Sequence, residues 1–309
     1  MNEKVSVIVP VHNAEDYLEK CINSLLQQTY ENVEIILVEN NSTDSSYSIA
    51  KMYSENFRNI KCIRSKKKGV GAARNRGIEN STGDFIAFVD ADDYVTKDYI
   101  YELVNPLNSK FCMTMTTEYF IIHDTLQKHC YDENNDKSII SSKELMNNLS
   151  RINGGGYSVN KLFRKDLIRR SNIMFDENVR ILEDFLFCIE YLNSCDESDV
   201  YLLKKPLYYY TQRSNSVSHS KKSKIEPTKL IALEKILKIS KKETNLNIDI
   251  ERDYVNLLVA VSWDNKFKKQ RFQDKWRALT VIMKKWKLLT NKHKIATVLL
   301  FLCLTINNS

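Results

Sequence analysis

Residues 84–93 read Asp-Phe-Ile-Ala-Phe-Val-Asp-Ala-Asp-Asp, an apolar run that ends in three carboxylates. Residues 85–89 offer no polar side chain, which is typical of a central strand covered on both faces. Asp90, Asp92 and Asp93 then fall at the carboxyl end of that strand. In open α/β sheets, ligands bind in the crevice outside the carboxyl ends of the strands. The stretch therefore predicts a ligand site at the end of a buried strand.

Two interpretations of this acidic strand end follow from physical chemistry. Carboxylates this close in sequence repel one another unless a cation lies among them. Mg²⁺ or Mn²⁺ takes oxygen ligands from one or two carboxylates and completes its shell with water and substrate phosphates, which would make this a metal–diphosphate site. The alternative is a solvated acidic turn in which Asp92 or Asp93 caps the next helix. The Asp-x-Asp pattern alone leaves both open.

The segments before the acidic strand alternate between strand and helix patterns. Apolar, β-branched runs predict strands at residues 5–9, 33–38 and 60–63, and apolar stripes predict helices after residue 13 and at residues 45–53 and 72–79. Such alternation gives a parallel, right-handed βαβ sheet. We expect Pro10 to end the first strand, because proline cannot donate to a ladder, and Asn13 to cap the first helix.

The turn after the first predicted strand excludes two common nucleotide-binding classes. A Rossmann site requires Gly-x-Gly-x-x-Gly at this point, but residues 10–13 read Pro-Val-His-Asn. The chain also has no Gly-x-x-x-x-Gly-Lys-Ser/Thr loop. Neither a dehydrogenase nor a P-loop enzyme fits this sequence.

Charge is distributed unevenly along the 309 residues. Residues 1–220 carry 26 basic and 31 acidic side chains, whereas residues 221–309 carry 20 basic and 8 acidic ones. The later segment shows apolar residues at helical spacing, which predicts packed helices. Its basic faces are either a surface for anionic lipid, or ordinary helix faces that dock on the rest of the chain or on a second copy of it. The pattern leaves both open.

Cysteine usage and the chain ends indicate where the protein works. Seven scattered cysteines without a Cys-x-x-Cys pair are typical of reduced thiols. The first residues lack signal-peptide features, and the apolar run at residues 295–306 is shorter than the about 20 residues of a membrane span. We therefore expect a cytoplasmic protein, with peripheral membrane contact through the basic C-terminal helices as the open question.

Several motifs, in their order along the chain, resemble family 2 glycosyltransferases with the GT-A fold. They are residues 5–13, 42–44 (Ser-Thr-Asp), 71–77 (Gly-Ala-Ala-Arg-Asn-Arg-Gly), 90–93, 160–164 (Asn-Lys-Leu-Phe-Arg), 182–186 (Leu-Glu-Asp-Phe-Leu) and 210–216. The resemblance implies an α/β fold with a mostly parallel central sheet flanked by helices. It implies a GT-A catalytic domain at residues 1–220, with a nucleotide-binding half at 1–93 and an acceptor half at 94–220. The basic helical region at 221–309 then follows as an extension.

The resemblance also implies which residues hold the nucleotide-sugar donor. In the family, the turn after the first strand and the carboxylate after the second strand hold the base and ribose. An arginine and the Asp-x-Asp stretch, further along the chain, also contact the donor. The corresponding residues here are Pro10, Val11, Asn13, Glu39, Arg74, Asp90, Ala91, Asp92 and, on the closing segment, Arg213. The family usually has Asp-Asp-Gly before Ser-Thr-Asp. This chain has Glu39-Asn40-Asn41 instead, a departure that bears on the choice of base and donor.

For the chemistry, the resemblance implies a metal ligand and a general base. Asp92 resembles the direct ligand of Mn²⁺ or Mg²⁺, and His219 is a candidate second ligand. Asp184 resembles the base that takes the acceptor hydroxyl's proton during inversion, with Glu183 beside it to orient a substrate hydroxyl. The alternatives are that Glu183 and Asp184 only complement a helix dipole, and that His219 has no such role.

The sequence as a whole predicts an inverting, metal-dependent glycosyltransferase. It would move one sugar from a nucleotide-diphosphate sugar, with UDP favoured, to a lipid-linked or protein-linked saccharide in capsule, cell-wall or glycoprotein glycan synthesis. A single sugar is expected because the Gln-x-x-Arg-Trp motif of processive members is absent. Residues 153–156 predict a flexible loop before Val159, where relatives often carry tryptophan, which indicates a different acceptor pocket.

Two other classes of function were weighed against this one. A decayed transferase-fold scaffold or carbohydrate-binding subunit is the main alternative, favoured mildly by Glu39-Asn40-Asn41 and disfavoured by the presence of both Asp92 and Asp184. A nucleic-acid partner is not expected, because the basic region lacks interleaved aromatics in a recognisable module. A homo-oligomer remains open.

Overall fold

The computed structural model describes residues 3–107, 111–123, 126–131, 137–196, 198–212, 228–240 and 245–263, together with Met283, Lys294 and Thr297. The chain divides into two compact units, Met1–Ser214 and Asn215–Ser309. The division of residues 1–220 into donor and acceptor halves stays a prediction.

The first unit alternates strands and helices, and its second half is richer in strands. The elements in chain order are β1 (Val5–Val11), α1 (Leu18–Leu26), β2 (Val33–Glu39), α2 (Ser46–Asn56), β3 (Ile60–Arg64), α3 (Val70–Asn80), β4 (Phe85–Phe88), β5 (Tyr94–Val95), α4 (Tyr99–Val104), β6 (Phe111–His123), β7 (Leu126–Cys130), β8 (Ile139–Ser141), α5 (Ser142–Asn148), β9 (Lys161–Arg164), α6 (Lys165–Arg170), α7 (Glu183–Asn193) and β10 (Asp199–Thr211).

The strands of the described residues form one mixed, mostly parallel sheet in the order β3-β2-β1-β4-β9-β6-β10-β5, with β7 on β6 and β8 on β10. The first four strands along this order are parallel, as the alternation of elements predicted. Strand β9 is antiparallel to both β4 and β6, and β6 and β10 are again parallel. The predicted fold class, an α/β GT-A architecture, is confirmed.

The acidic stretch begins as the predicted central strand. All of β4 is buried, with β1 on one side and β9 on the other. The Phe88 ring packs edge-on against Phe163, Phe175 and Phe187, and the last two stack with centroids 4.1 Å apart. Aromatic pairs of this kind each contribute about 0.5–1.5 kcal/mol beyond burial. The cluster therefore fixes the end of β4 against α7.

Proline does not end the first strand, which was an incorrect prediction. Strand β1 continues through Pro10, which pairs in register with Val38. The backbone N–H and C=O groups of successive residues in a strand point to opposite neighbouring strands, so those of Pro10 point to the same side as those of Ile8. That side is the side of β4, because the Ile8 carbonyl accepts a hydrogen bond from Val89, just after β4. Because β4 has ended at the level of Pro10, the missing N–H costs no ladder bond.

The predicted cap of the first helix was also wrong. Helix α1 begins at Leu18, and its N-cap residue is Tyr17, not Asn13. Asn13 instead adopts a left-handed backbone with φ 46°, and its Oδ1 accepts the Thr43 N–H at 2.8 Å. The side chain therefore ties the turn after β1 to the turn after β2.

Helix α3 begins two residues earlier than predicted and packs closely on the sheet. Its N-cap is Gly69, at φ 114°. A Cβ on Gly77 would lie 2.3 Å from Cγ2 of Ile8, so a glycine is needed for α3 to approach β1. This approach brings Arg74, in the middle of α3, over the carboxyl end of the sheet.

The second unit contains the helices α8 (Thr228–Ile239) and α9 (Asn245–Trp263), which pack together as the apolar spacing predicted. Leu233, Ile236 and Ile250 are buried, and the Tyr254 hydroxyl donates to Glu234 at 2.9 Å. The predicted later helices and the terminal apolar run lie outside the described residues. Within the described part of the chain, we find no helix with the length and apolar character of a membrane span.

Candidate active site

The three carboxylates that follow β4 have different roles. Asp93 is buried, and its oxygens accept the Tyr208 hydroxyl at 2.7 Å and the Thr211 N–H at 2.8 Å. Burial, with added repulsion from Asp92 and Asp90, raises the pKa of Asp93 well above its ordinary value. Asp93 therefore belongs to the scaffold, while Asp90 and Asp92 remain partly exposed at the strand end.

Arg74 connects the strand end to the start of α7. Its side chain is only 3% exposed, and its Nη2 donates to Asp90 Oδ1 at 2.9 Å. Its Nη1 donates to Asp184 Oδ1 and, at 3.4 Å, to Glu183 Oε1. The guanidinium also lies 5.2 Å from the centre of the Phe175 ring. The buried guanidinium therefore joins Asp90, which we predicted to contact the donor, to Glu183 and Asp184, the predicted catalytic carboxylates.

The electrostatics of this cluster favour a carboxylate that can accept a proton near neutral pH. Burial and the neighbouring Asp184 charge raise the pKa of Glu183 to about 7. Burial also raises the pKa of Asp184, although the Arg74 charge opposes the shift. Burial alone would lower the pKa of Arg74, but the three carboxylates outweigh it and raise it. Strongly shifted groups that share a site are typical of catalysis, and of structural ion pairs as well.

Helix α7 starts from a strained residue directly at the site. Leu182, its N-cap, has φ 74°, and Glu183 and Asp184 occupy the first turn. Asp184 Oδ1 also accepts the Ser158 hydroxyl at 3.0 Å. A left-handed backbone at a bulky residue is unfavourable and persists where surrounding contacts impose it. The strain therefore supports a role for the two carboxylates beyond the helix dipole.

Ser158 lies at the end of a turn that is held in place by a buried lysine. Lys161 Nζ, fully buried, donates to the carbonyls of Gly154 and Tyr157 at 2.8 and 2.6 Å and to Asn160 Oδ1 at 3.0 Å. Burial lowers the pKa of Lys161 to about 8. The turn that we expected to be a flexible loop is therefore fixed by several hydrogen bonds, including one from Asn153 to the Thr117 carbonyl at 2.8 Å.

The region predicted to hold the base is organised by two residues after β2. Glu39 is buried and accepts the Ser42 N–H at 2.6 Å and the Arg64 Nε–H at 2.9 Å. Burial alone would raise its pKa, but these donors outweigh it and hold the pKa below its ordinary value. The Asn40 amide spans to Lys67 and Gly69 at 2.7 and 3.0 Å, so it anchors the loop before α3.

The predicted site residues fall into three groups. Asp90, Arg74, Glu183 and Asp184 meet in one cluster, and Ala91 and Asp92 are next to it in sequence at the end of β4. Pro10, Val11, Asn13 and Glu39 gather where β1 and β2 end side by side. Arg213 and His219 lie outside the described residues. Arg74 forms its hydrogen bonds within the first group.

Three contributing residues were not predicted as site residues: Ser158, Lys161 and Tyr208. The hydroxyl of Tyr208 accepts the Asp90 N–H at 3.2 Å while it donates to Asp93, so β10 fixes the acidic turn. For Lys161 the usable signal was its place in the motif at residues 160–164, because β9 itself reads Lys-Leu-Phe-Arg with a charged residue at each end. Nothing in the sequence around Ser158 or Tyr208 indicates that these residues contact the site.

The donor set at the strand end fits a divalent ion held largely by substrate. In the part of the chain that the structure describes, no three His, Cys, Asp or Glu residues are grouped to hold a metal ion. Mg²⁺ and Mn²⁺ commonly take only one or two carboxylates and complete their shell from phosphates and water. Asp92 and Asp90 supply such oxygens, whereas Asp93 is turned into the scaffold by Tyr208 and Thr211.

Fold and site together define a GT-A-type architecture, in which the parallel part of the sheet presents an acidic strand end to an acidic helix start. The chain belongs to glycosyl transferase family 2, whose family model matches residues 6–171. It is similar to the uncharacterized glycosyltransferase EpsJ of Bacillus subtilis (strain 168), with 30% identity over 217 residues, 69% of this chain and 62% of that protein.

A second relative is known by sequence and by structure. TarS of Staphylococcus aureus (strain MW2), a poly(ribitol-phosphate) β-N-acetylglucosaminyltransferase, is 24% identical over 263 residues, 83% of this chain and 43% of that protein. The structure of S. aureus TarS 1–349 in complex with UDP-GlcNAc superposes with a TM-score of 0.64 at 20% identity, over 94% of this chain and 82% of that chain. This chain thus spans less than two thirds of either relative's full length.

A more distant structure extends the fold similarity. A Pyrobaculum calidifontis mannosyltransferase in complex with GDP-Man and Mn²⁺ matches with a TM-score of 0.55 at 14% identity, covering 100% of this chain and 87% of that one. At these identities the structural matches establish the fold alone.

Proposed function

We propose that this protein is an inverting glycosyltransferase that moves one sugar from a nucleotide-diphosphate sugar, UDP-linked, to a saccharide acceptor in capsule, cell-wall or glycoprotein glycan synthesis. The observation that carries the proposal is the Arg74 bridge between Asp90 and Asp184. It sets a donor-binding carboxylate and a base candidate on either side of one cation. The UDP-GlcNAc complex of TarS supports UDP as the carrier.

In the proposed reaction, Asp184 takes the proton of an acceptor hydroxyl. The acceptor oxygen forms a bond to the anomeric carbon as the bond from that carbon to the diphosphate oxygen breaks, and the nucleoside diphosphate leaves with the electron pair. Inversion requires the base on the face opposite the leaving group. The raised pKa of Asp184 suits this role, because a base works best when its pKa approaches the working pH.

Neighbouring residues support the two ends of the reaction. Glu183 orients an acceptor or donor hydroxyl, and Arg74 holds the carboxylates in place. Arg74 Nε is buried without a hydrogen-bond partner in the described structure. Pro10, Val11, Asn13 and Glu39 contact the base and ribose in this proposal, with Arg213 at the diphosphate.

Asp92, with Asp90 nearby, would hold Mn²⁺ or Mg²⁺, and His219 is the further candidate ligand. When bound, such an ion supplies Lewis-acid stabilisation of the charge on the departing diphosphate. The Mn²⁺ in the P. calidifontis mannosyltransferase complex supports an ion of this kind.

We also propose that the reaction takes place at the cytoplasmic membrane surface. The 20 basic against 8 acidic side chains in residues 221–309 support attraction to anionic lipids, where lipid-linked acceptors occur. Co-sedimentation with phosphatidylglycerol vesicles at low salt, lost at high salt, is the expected result. Equal sedimentation with phosphatidylcholine vesicles would contradict the electrostatic interpretation.

The experiment that tests the main proposal is a thermal-shift panel of nucleoside diphosphates and their sugars, each with Mn²⁺ and with EDTA. A ligand that binds only the native state stabilises it by RT ln(1 + [L]/Kd), about 2.7 kcal/mol at 100 times Kd. We expect a metal-dependent shift with UDP and one UDP-sugar. The donor that shifts melting is then incubated with oligosaccharides, and release of UDP is measured.

Three outcomes separate the alternatives. A shift with UDP release supports the transferase. If the UDP-sugar shifts melting but no UDP is released, whether or not an oligosaccharide is added, the result favours a carbohydrate-binding subunit that has kept its donor pocket. The absence of any shift favours the decayed scaffold.

A further inference from the structure

Tyr157 is 55% exposed and lies one residue before a contact of the candidate base. The following residue, Ser158, donates its hydroxyl to Asp184 at 3.0 Å. The preceding residue, Gly156, packs on the ring of Phe185, so closely that a Cβ there would lie 2.5 Å from Phe185 Cδ2. Tyr157 therefore lies in a turn pressed against the first turn of α7, where Asp184 is located.

The backbone of Tyr157 is held from two sides. Its carbonyl accepts from Lys161 Nζ at 2.6 Å and from Cys188 Sγ, one turn along α7 from Asp184, at 3.5 Å. Its N–H donates to the Gly154 carbonyl at 3.3 Å. With the backbone fixed, only the two side-chain torsions of Tyr157 remain to be ordered by a ligand, which is a small entropic cost for a large contact area.

The anchor itself is unusual. All three oxygens that accept from Lys161 Nζ are neutral, and the ammonium is fully buried. Burying a charge without a direct ionic partner is unfavourable, as the lowered pKa of Lys161 reflects. An apolar residue here would leave the Gly154 and Tyr157 carbonyls without this donor, so the lysine is what holds the turn in its position.

An ordinary exposed tyrosine is the alternative, because single exposed aromatic residues are common on protein surfaces. Tyr101, 48% exposed on α4, is of this kind. Tyr157 differs in two ways: its backbone carries the buried anchor, and its neighbour hydrogen-bonds the candidate base.

We propose that Tyr157 is the platform on which the acceptor sugar ring rests, and that the acceptor is a pyranose. The inference rests on the proposed transferase function and names the acceptor class for that site. One face of a pyranose carries C–H groups and is apolar, so it packs on an aromatic ring, while its edge hydroxyls reach polar groups. An acceptor stacked on Tyr157 would lie beside Asp184, which removes the proton of one of those hydroxyls.

A second tyrosine extends the surface. Cε1 of Tyr119 is 3.8 Å from the position that a Cβ on Gly154 would occupy, so its ring packs beneath the same turn. Burial raises the pKa of Tyr119 to about 12. Aromatic rings with hydroxyl tips are suited to a ligand that is apolar on its faces and polar at its edges.

The test measures acceptor binding separately from donor chemistry. Saturation-transfer NMR with a panel of methyl pyranosides, and with a ribitol-phosphate oligomer, is recorded on the full chain loaded with UDP and Mn²⁺. We expect signals from pyranoside C–H protons that disappear in Tyr157→Ala and remain in Tyr157→Phe. With any saccharide that is turned over, Tyr157→Ala should raise the acceptor KM about tenfold without changing the donor KM. Tyr101→Ala, a variant of an equally exposed tyrosine on α4, should change neither.

The outcomes distinguish this inference from the function on which it rests. Unchanged pyranoside binding in Tyr157→Ala, or preferential binding of the ribitol-phosphate oligomer by the wild type, would overturn the platform. If the wild type does not bind UDP, the transferase proposal itself is overturned. Melting of Tyr157→Ala should match the wild type, because the ring is exposed and its anchoring bonds are backbone bonds.

Discussion

Arg74 and Asp184, 110 residues apart in sequence, form a hydrogen-bonded ion pair through Nη1 and Oδ1. The Ser158 hydroxyl donates to the same oxygen. Both donors thus orient the carboxylate that we propose as the base. The pair also joins α3 to α7, so a single contact serves the fold and the site.

Replacing Arg74 should destabilise the protein strongly. Arg74→Ala leaves three crowded carboxylates without their cation, and breaking a buried ion pair by removing one partner typically costs about 3–5 kcal/mol. Arg74→Lys keeps the charge but cannot reach Asp90 and Asp184 together, so we expect a smaller loss of stability and a large loss of turnover. Urea unfolding at pH 7.5 measures the first effect and UDP release the second.

Arg76 provides the matched control for this prediction. It lies on the same helix, its side chain is 48% exposed, and it pairs with the exposed Glu79 at 3.1 Å. Arg76→Ala should unfold within about 0.5 kcal/mol of the wild type. A similar cost for both variants would show that the buried cluster has no special role in stability.

Asp184→Asn should abolish turnover while donor binding and folding remain. Asparagine keeps the shape and the acceptor oxygen of the side chain but cannot take a proton. Because burial raises the pKa of Asp184, removing the charge should not cost stability through desolvation. Asp166, an exposed acid in the first turn of α6, supplies the control: Asp166→Asn should keep full activity. Full activity in Asp184→Asn would mean that another group is the base.

Glu183 should make stability fall as the pH rises from about 4.5 to about 7. The pKa of Glu183 is raised from its ordinary 4.5 to about 7, so within this window the native state holds a proton that the unfolded state has released. Stability falls with pH wherever the native state binds more protons. Below pH 4.5 Glu183 is protonated in both the native and the unfolded state, and its contribution to stability is fully present. Above pH 7 it is ionised in both states, and this contribution has been lost.

Glu183→Gln removes this dependence. Relative to the wild type, its free energy of unfolding should increase by roughly 3 kcal/mol between pH 4.5 and pH 8. Because Glu183 and Asp184 interact, the change should spread over the titration of the pair and not follow one sharp step. Denaturant unfolding across this pH range provides the measurement. A flat difference between the two proteins would show that Glu183 is ionised normally.

Much of the fold could be predicted because its signals are local. The β-branched runs of β1, β2 and β3 alternate with helical patterns, and β4 is apolar throughout, so a parallel sheet with an acidic strand end follows from short-range pattern alone. Pro10 shows the limit of such reasoning. Whether a proline ends a strand depends on whether the neighbouring strand still pairs at that level, and this is a property of the assembled sheet.

The candidate site was predictable in its residue types but not in its connections. The motif resemblance picked out Arg74, Asp90 and Asp184, yet no short-range rule pairs α3 with α7. Ser158 and Tyr208 were missed for the same reason, since a hydroxyl becomes part of a site only through the partner that packing brings to it. Lys161 lies in one of the quoted motifs, but its role depends on how the turn just before it folds back to place the Gly154 and Tyr157 carbonyls at its ammonium.

Asp92→Ala should weaken nucleotide binding only when a divalent ion is present. If Asp92 holds the ion, the wild type binds UDP more tightly with Mn²⁺ than with EDTA, and the variant loses most of that difference while its binding in EDTA is unchanged. Isothermal titration in both buffers measures this. Asp98→Ala, a variant of the N-cap residue of α4 that makes no side-chain cap bond, is the control. Binding of UDP by the wild type without regard to metal would contradict the assigned role.

Tyr208→Phe should disturb the donor site through the acidic turn. The lost hydroxyl donates to Asp93 and accepts the Asp90 N–H, and Tyr208 is buried, so the change leaves polar groups without partners at a cost of about 1–3 kcal/mol. We expect the turn that carries Asp90 and Asp92 to shift, which raises the donor KM and reduces the stabilisation by Mn²⁺ and UDP. The acceptor KM should stay as it is.

Tyr191→Phe separates this positioning role from a general loss of stability. Tyr191 is equally buried, and its hydroxyl donates to the Cys112 carbonyl at 2.6 Å and accepts the Arg164 N–H at 2.9 Å, far along α7 from Asp184. Both variants should unfold at similarly reduced urea concentrations, but only Tyr208→Phe should change the donor KM. Equal changes in donor KM in the two variants would mean that Tyr208 acts through stability alone. An unchanged donor KM in both variants would show that Asp93 and the strand end hold the turn without the Tyr208 hydroxyl.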